Sequence, residues 1–228
     1  MTRHLLLSLA LFAAAPLALA QAPAKPAAQP AAKAVTTKPA TTTAPANKPA
    51  APGPAVAVSS ASKAVLHTSL GDITIELNAE KAPKSVENFV QYAKEGFYNG
   101  TVFHRVIPGF MVQGGGYAKD LQEKKTRAPI RNEANNGLSN LKYSVSMART
   151  PDPHSARAQF FINLVDNKRL DYTSDASPAT WGYAVFGKVV KGSEIVDKIA
   201  AIPTGAAGPF SSDVPTTAVT IDKVDLLP

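Results

Sequence analysis

Residues 102–116 read VFHRVIPGFMVQGGG, and they set one cation, Arg105, in an otherwise apolar run. Pro108 and Gly109 interrupt the run. Phe110, Met111 and an amide, Gln113, follow, and three glycines close it. The stretch holds no acidic residue, serine or cysteine. It carries neither a nucleophile nor a carboxylate base. The chemistry open to it is donation, from a permanently protonated guanidinium and an amide set beside apolar surface. Such a pair stabilises an electron-rich atom without breaking a covalent bond.

The rest of the chain offers little competing chemistry. There is no GxSxG elbow, no HExxH, no phosphate loop and no GxGxxG after a strand. Gly114–Gly116 run into Tyr117-Ala118-Lys119, without the Lys-Ser/Thr pair of a phosphate loop. His4, His67, His104 and His154 lack metal-ligand spacing, so no metal and no cofactor are expected. The chain has no cysteine, which excludes disulfides and thiol catalysis. His104, next to Arg105, is expected on the opposite strand face as a buried, hydrogen-bonded histidine.

The elements that must position Arg105 are short strands. VFHRVI and FMVQG flank Pro108-Gly109 as a hairpin. Alternation puts Phe103, Arg105 and Ile107 on one face, and Met111 and Gln113 on one face of the next strand. Alternation alone equally fits a surface arginine beside an ordinary hairpin. AVLHTSLGDITIEL reads as two strands joined at Leu70-Gly71-Asp72. YSVSMA, QFFINLV, YAVFGKVV and AVTIDKVDLL read as four more. APKSVENFVQYAKEGF reads as a helix with Pro83 in its first turn, and SEIVDKIAAI as a second with Ser193 as cap. Many short strands and two helices favour a closed or nearly closed sheet covered at its ends.

Before these elements lie two segments of different character. Residues 1–20 have a short basic start, a Leu/Ala-rich stretch and an Ala-Leu-Ala end, the layout of a secretory signal cleaved after Ala20. The stretch is short of the ~20 residues a spanning helix needs and contains Pro16. Residues 21–62 are Ala-, Pro-, Thr- and Lys-rich and predict a disordered spacer. Residues 63–228 form the remaining, globular domain. Six cations, Arg3, Lys25, Lys33, Lys38, Lys48 and Lys63, precede the first acidic residue, Asp72. Of the net charge of +7, only about +1 therefore falls on residues 64–228. A nucleic-acid partner gains little from a nearly neutral domain.

The stretch FHRVIPGFMVQGGG resembles the central motif of the cyclophilins, the cyclosporin-binding peptidyl-prolyl cis-trans isomerases. SMAR at 146–149, QFFINL at 159–164, LD at 170–171 and VFGKVVKG at 185–192 resemble further blocks in family order. The leader, the spacer and NEANNGL at 132–138 resemble the bacterial periplasmic branch. The resemblance implies a mainly β fold, a closed eight-stranded antiparallel barrel capped by two α-helices, with a substrate groove on its outer wall. It implies catalysis by Arg105 with Gln113 and Phe110. It also implies substrate contacts at Met111, Ala148, Arg149, Gln159, Phe161, Leu170 and Tyr183. Of the adjacent Phe160 and Phe161, one is expected in the core and one in the groove. The implied function is interconversion of Xaa-Pro bonds in exported proteins, in the periplasm, by a monomer that is not inserted in the membrane once its signal is cut. A binding module that merely holds proline-containing segments is the alternative; Arg105 with Gln113 speaks for the enzyme. Two departures fall at the pocket rim: Arg169 stands where many members carry tryptophan, and Tyr183 where many carry histidine.

Overall fold

The computed structural model describes residues 61–228. The leader at 1–20 and the spacer up to residue 60 lie outside the described residues. Eleven strands and two α-helices follow one another along the chain. The strands are β1 (Lys63–Thr68), β2 (Gly71–Leu77), β3 (Thr101–Val102), β4 (Arg105–Ile107), β5 (Met111–Gly114) and β6 (Ser144–Met147). The rest are β7 (Phe160–Asn163), β8 (Val185–Lys191), β9 (Thr204–Ala207), β10 (Phe210–Pro215) and β11 (Thr220–Leu227). Helix α1 covers Pro83–Lys94 and α2 covers Ser193–Ala200.

Nine strands form one antiparallel sheet in the order β3-β11-β1-β2-β8-β6-β7-β5-β4. β9 and β10 form a separate hairpin. The closed eight-stranded barrel expected from the resemblance is not what forms. The sheet is an open, curled half-barrel of nine strands, with β3 and β4 at its two edges. The reason lies in what β3 bonds. The Val102 N–H donates to the Tyr117 carbonyl, and Thr101 bridges Ala118. The backbone that could close the ladder onto β4 is engaged elsewhere, and β10 packs against β4 instead.

Alternation in the strands builds the core. Leu66, Ile73, Ile75, Val106, Val112, Val145, Ile162 and Ile221 are fully buried. Phe89 of α1 stacks among Tyr98, Phe160 and Phe186, with ring centroids 5.1, 5.7 and 5.4 Å away. Each such ring contributes roughly 1.5–3 kcal/mol by burial. The Tyr98 hydroxyl donates to the Ala158 carbonyl at 2.9 Å, so its burial leaves no orphan.

Pro83 opens α1 as expected, where a missing N–H costs nothing. No local side chain caps it. The Glu133 carboxylate accepts from the Lys84 and Ser85 N–H groups at 3.0 and 2.8 Å, a cap supplied from 48 residues away. Ser193 does not cap α2. The cap position is Gly192, at φ 81°, where a Cβ would lie 2.1 Å from the Asp72 carbonyl. Only glycine fits that left-handed, crowded position.

Candidate active site

The pairing register arranges the site. Arg105 lies opposite Gln113, Gln113 opposite Phe161, and Phe161 opposite Ser146. Directly paired residues share a face, so these four make one row across β4, β5, β7 and β6. Ile107, Met111 and Asn163 form another row on that face, two residues along. The row between them, Val106, Val112, Ile162 and Val145, points inward and is fully buried. Arg105 and Gln113 therefore stand on the outer wall.

Met111 and Phe161 are buried, at 2% and 4%, yet both stand outside the main core cluster that holds Phe160. They form an apolar floor on the outer face. The two phenylalanines divide as alternation predicts, Phe160 to the core and Phe161 to the outer wall. Phe103 does not behave as expected. It is buried and stacks on Phe160 at 6.4 Å, rather than sharing the exposed face of Arg105. Residues 103 and 104 link β3 to β4 and are not strand, so the period of two fails between them and Arg105.

The rim closes around this floor. Phe110 follows the turn after β4. Its carbonyl accepts from Leu164 N–H at 3.0 Å and from Asn167 Nδ2 at 2.9 Å. The Arg169 guanidinium lies over the Phe110 ring, 4.7 Å from its centroid. Tyr183 meets Phe161 edge-on at 5.6 Å, and its N–H donates to the Leu170 carbonyl at 2.9 Å. Gln113 Nε2 donates to Gln159 Oε1 at 2.9 Å, and the Gln159 carbonyl accepts from Ala148 N–H at 3.0 Å. Gly116 makes room for this: a Cβ there would stand 2.4 Å from Gln159 Cγ. Arg149 is committed to the long loop beside the rim. Its Nε donates to the Gly182 carbonyl at 2.8 Å, its terminal nitrogens to Thr150 and Pro178, and its guanidinium lies over Tyr183 at 4.5 Å.

A buried polar cluster beneath the rim escaped the sequence analysis. Asn140, Ser146 and Asn163 are fully buried and Asn167 nearly so. Asn140 Nδ2 donates to the Leu170 and Tyr183 carbonyls, and its Oδ1 accepts from Ser146 Oγ at 2.8 Å. Asn167 ties Asn163 Oδ1 to the Phe110 carbonyl. Asp171 accepts from Ser139 Oγ and from the Asn140 backbone. Burial pushes the Asp171 carboxyl up, but these hydrogen bonds, with nearby Lys168, outweigh it and hold the group below its usual range. One network thus fixes Phe110, Leu170 and Tyr183 together. The signal available in the sequence was three asparagines, at 140, 163 and 167, next to or within apolar strands.

Arg105 is 44% exposed and ion-paired through Nε to Asp213 of β10 at 3.6 Å. Its neighbour His104 is buried, as expected, but its Nδ1 has no hydrogen-bond partner. The imidazole instead packs in a three-ring cluster with Tyr117 and Phe210, at 4.5 and 5.5 Å, which are themselves 5.0 Å apart. Burial lowers its pKa from 6.5 to about 4. A weaker pull from the Val102 backbone acts the other way, and the Arg105 charge adds to the fall.

The family described as "Cyclophilin type peptidyl-prolyl cis-trans isomerase/CLD" matches residues 63–226. The chain belongs to the cyclophilins. A peptidyl-prolyl cis-trans isomerase of Streptomyces antibioticus is 54% identical over 162 residues, 71% of this chain and 96% of that protein. Peptidyl-prolyl cis-trans isomerase A of Dickeya dadantii is 50% identical over 174 residues, covering 76% of this chain and 89% of its own length. A crystal structure of a Cryptosporidium parvum cyclophilin overlays with a TM-score of 0.59 at 23% identity, covering 74% of this chain and 98% of that one, and supports the fold. This cyclophilin is a peptidyl-prolyl cis-trans isomerase that acts on proline-containing peptides without covalent catalysis. Its outer wall offers a guanidinium, an amide and an apolar floor within one register of strands.

Proposed function

We propose that Arg105 is the catalytic donor, assisted by Gln113 and Phe110, and that the substrates are Xaa-Pro segments of exported proteins. The observation that carries this is the pairing of Arg105 with Gln113 beside the outward, buried Met111 and Phe161. Amide resonance imposes a barrier of ~18–20 kcal/mol on rotation. Twisting the bond returns a lone pair to the prolyl nitrogen, and a donor aimed there binds the twisted state more tightly than either ground state. Arginine serves because it stays protonated and holds a rigid fork. Phe110, Met111, Phe161 and Leu170 seat the proline ring. Gln113, with Gln159, Ala148, Arg149 and Tyr183, holds the flanking peptide. A charge-assisted hydrogen bond supplies about 2–3 kcal/mol, and positioning on a partly dry surface supplies the remainder.

Arg105→Ala is expected to lower kcat/KM about a hundredfold, equivalent to ~2.7 kcal/mol, on a short Xaa-Pro peptide. The side chain is 44% exposed, so no core cavity opens and the fold stays intact. Near-normal turnover in the folded variant would sink the assignment. Export rests on the signal pattern of residues 1–20, and periplasmic work as a monomer goes with it. Expression of the full chain in a Gram-negative host, followed by fractionation, N-terminal sequencing and sedimentation, tests all three. Recovery of a chain still beginning at Met1 in the cytoplasm would refute export.

A further inference from the structure

We infer that Asp213 is a positioning residue for Arg105, and that the β9–β10 hairpin exists in part to hold it there. The inference rests on Arg105 being the catalytic donor. Among the described residues, Asp213 is the one acidic side chain paired with Arg105, through Nε at 3.6 Å. That edge of the guanidinium faces the hairpin. The two terminal nitrogens make no hydrogen bond to a described residue, so the donors nearest the tip of the side chain stay free for substrate.

The hairpin is built to keep this carboxylate in place. Phe210 at the start of β10 stacks on His104 and Tyr117, with centroids 5.5 and 5.0 Å away. His104 is the residue next to Arg105, so the anchor lies directly beside the cation it serves. β10 packs against β4, and Val214, adjacent to Asp213, is buried. The ladder slips between Phe210 and Val214, which partner Ala207 and Gly205. Asp213 lies in that irregular stretch at φ 67°. A left-handed conformation disfavours most side chains, and aspartate is among the few that tolerate it. The backbone thus turns at this residue, and the turn brings the carboxylate to Arg105. An exposed arginine samples many rotamers, and aiming one edge before substrate arrives removes part of the ordering cost from the reaction step.

The test measures kcat and KM separately, by NMR exchange on an Xaa-Pro peptide, for Asp213→Asn, Asp213→Gly, Arg105→Ala and the Asn/Ala double variant of the whole chain. Asparagine keeps the left-handed turn without the charge, and glycine keeps it without any side chain. Both are expected to lower kcat about three- to fivefold, as an exposed ion pair allows, with KM unchanged. The Arg105 Nε–H resonance should shift in both. In the Arg105→Ala background, Asp213→Asn should cost nothing further. Unchanged or increased kcat in both folded Asp213 variants would overturn the proposal, as would an equal loss in the Arg105→Ala background. If Arg105→Ala itself keeps full activity, the catalytic assignment fails, and the tether with it. If Arg105→Ala is inactive while both Asp213 variants keep normal kcat, only the tether fails.

Discussion

At the scale of single residues, Arg169 sets the character of the pocket rim. Its contact with the Phe110 ring is a cation–π contact worth roughly 0.5–1 kcal/mol at an exposed site, which a proline ring can displace at little cost. A large apolar cyclic peptide would have to cover the guanidinium and strip its water, which is unfavourable. Cyclosporin is therefore expected to inhibit this enzyme weakly. Arg169→Trp should tighten inhibition about tenfold or more, equivalent to ~1.4 kcal/mol, while turnover changes less than twofold. Inhibition curves for the two proteins decide it, and tight inhibition of the unaltered enzyme would remove Arg169 from the argument. That Arg105 shares a face with Ile107, and Gln113 with Met111, was legible in the sequence, because a period of two fixes which side chains of a strand lie together. That this wall is the candidate site, and that Phe161 rather than Phe160 lies on it, was left open by alternation and came from the family resemblance. The place of Phe103 was not legible, because the period stops one residue before the strand begins. The commitment of Arg149 to its neighbouring loop was equally hidden, since its partners are carbonyls up to 33 residues away.

At the scale of elements, the hairpin of β9 and β10 is the part the sequence concealed. Its segment, TGAAGPFSSDVP, is rich in glycine, proline and serine and reads as loop. It becomes ordered because Phe210 finds His104 and Tyr117. That contact has a pH signature. The His104 imidazole must stay neutral when buried, and its pKa falls from 6.5 to about 4. The unfolded chain therefore binds a proton that the folded chain refuses. The stabilisation is complete above pH ~6.5 and is lost as the pH falls toward 4, by up to about 3 kcal/mol. A falling Tm across that window is expected, and His104→Phe, which keeps the stack, should flatten it. An equally steep fall in the variant would assign the effect to another group. Asp171 acts at lower pH, because its depressed carboxyl loses its contribution only as the pH drops below the ordinary carboxylate range. The asparagine network was illegible for a different reason. Asn163 and Asn167 bond each other within one local window, but the links to Asn140, Leu170, Tyr183 and Phe110 span 23 to 57 residues, so no local pattern marks the group as one structure.

At the scale of the whole molecule, family resemblance and strand count led to a closed barrel, and hydrogen bonding produced an open sheet. The two helices and eight of the eleven strands were readable from the sequence; β3, β9 and β10 were not. Whether the sheet closes depended on β3, a two-residue strand with no periodic signal. The N-terminal boundary is finer than composition implied. Ser62 N–H donates to the Leu227 carbonyl at 3.0 Å, and Leu77 N–H to the Ser62 carbonyl at 2.7 Å. A fragment of residues 61–228 is expected to fold and isomerise at the full-length rate, whereas 64–228, lacking both bonds and the Lys63 pairings, should melt several degrees lower. Thermal melts and a peptide assay on the two fragments check this; equal melting temperatures would show that Ser62 and Lys63 contribute nothing. The pairing of Lys63 with Leu227 has a consequence for chain connectivity. The two ends of the domain leave it side by side, from neighbouring strands just inside the β3 edge of the sheet. A short bridge from Pro228 back to Ala61 would make the chain a ring, free to be reopened in an exposed loop such as that at Gly137. The domain is thus a cassette. It can be circularly permuted, or set whole into a loop of another protein, with both crossings at a single doorway.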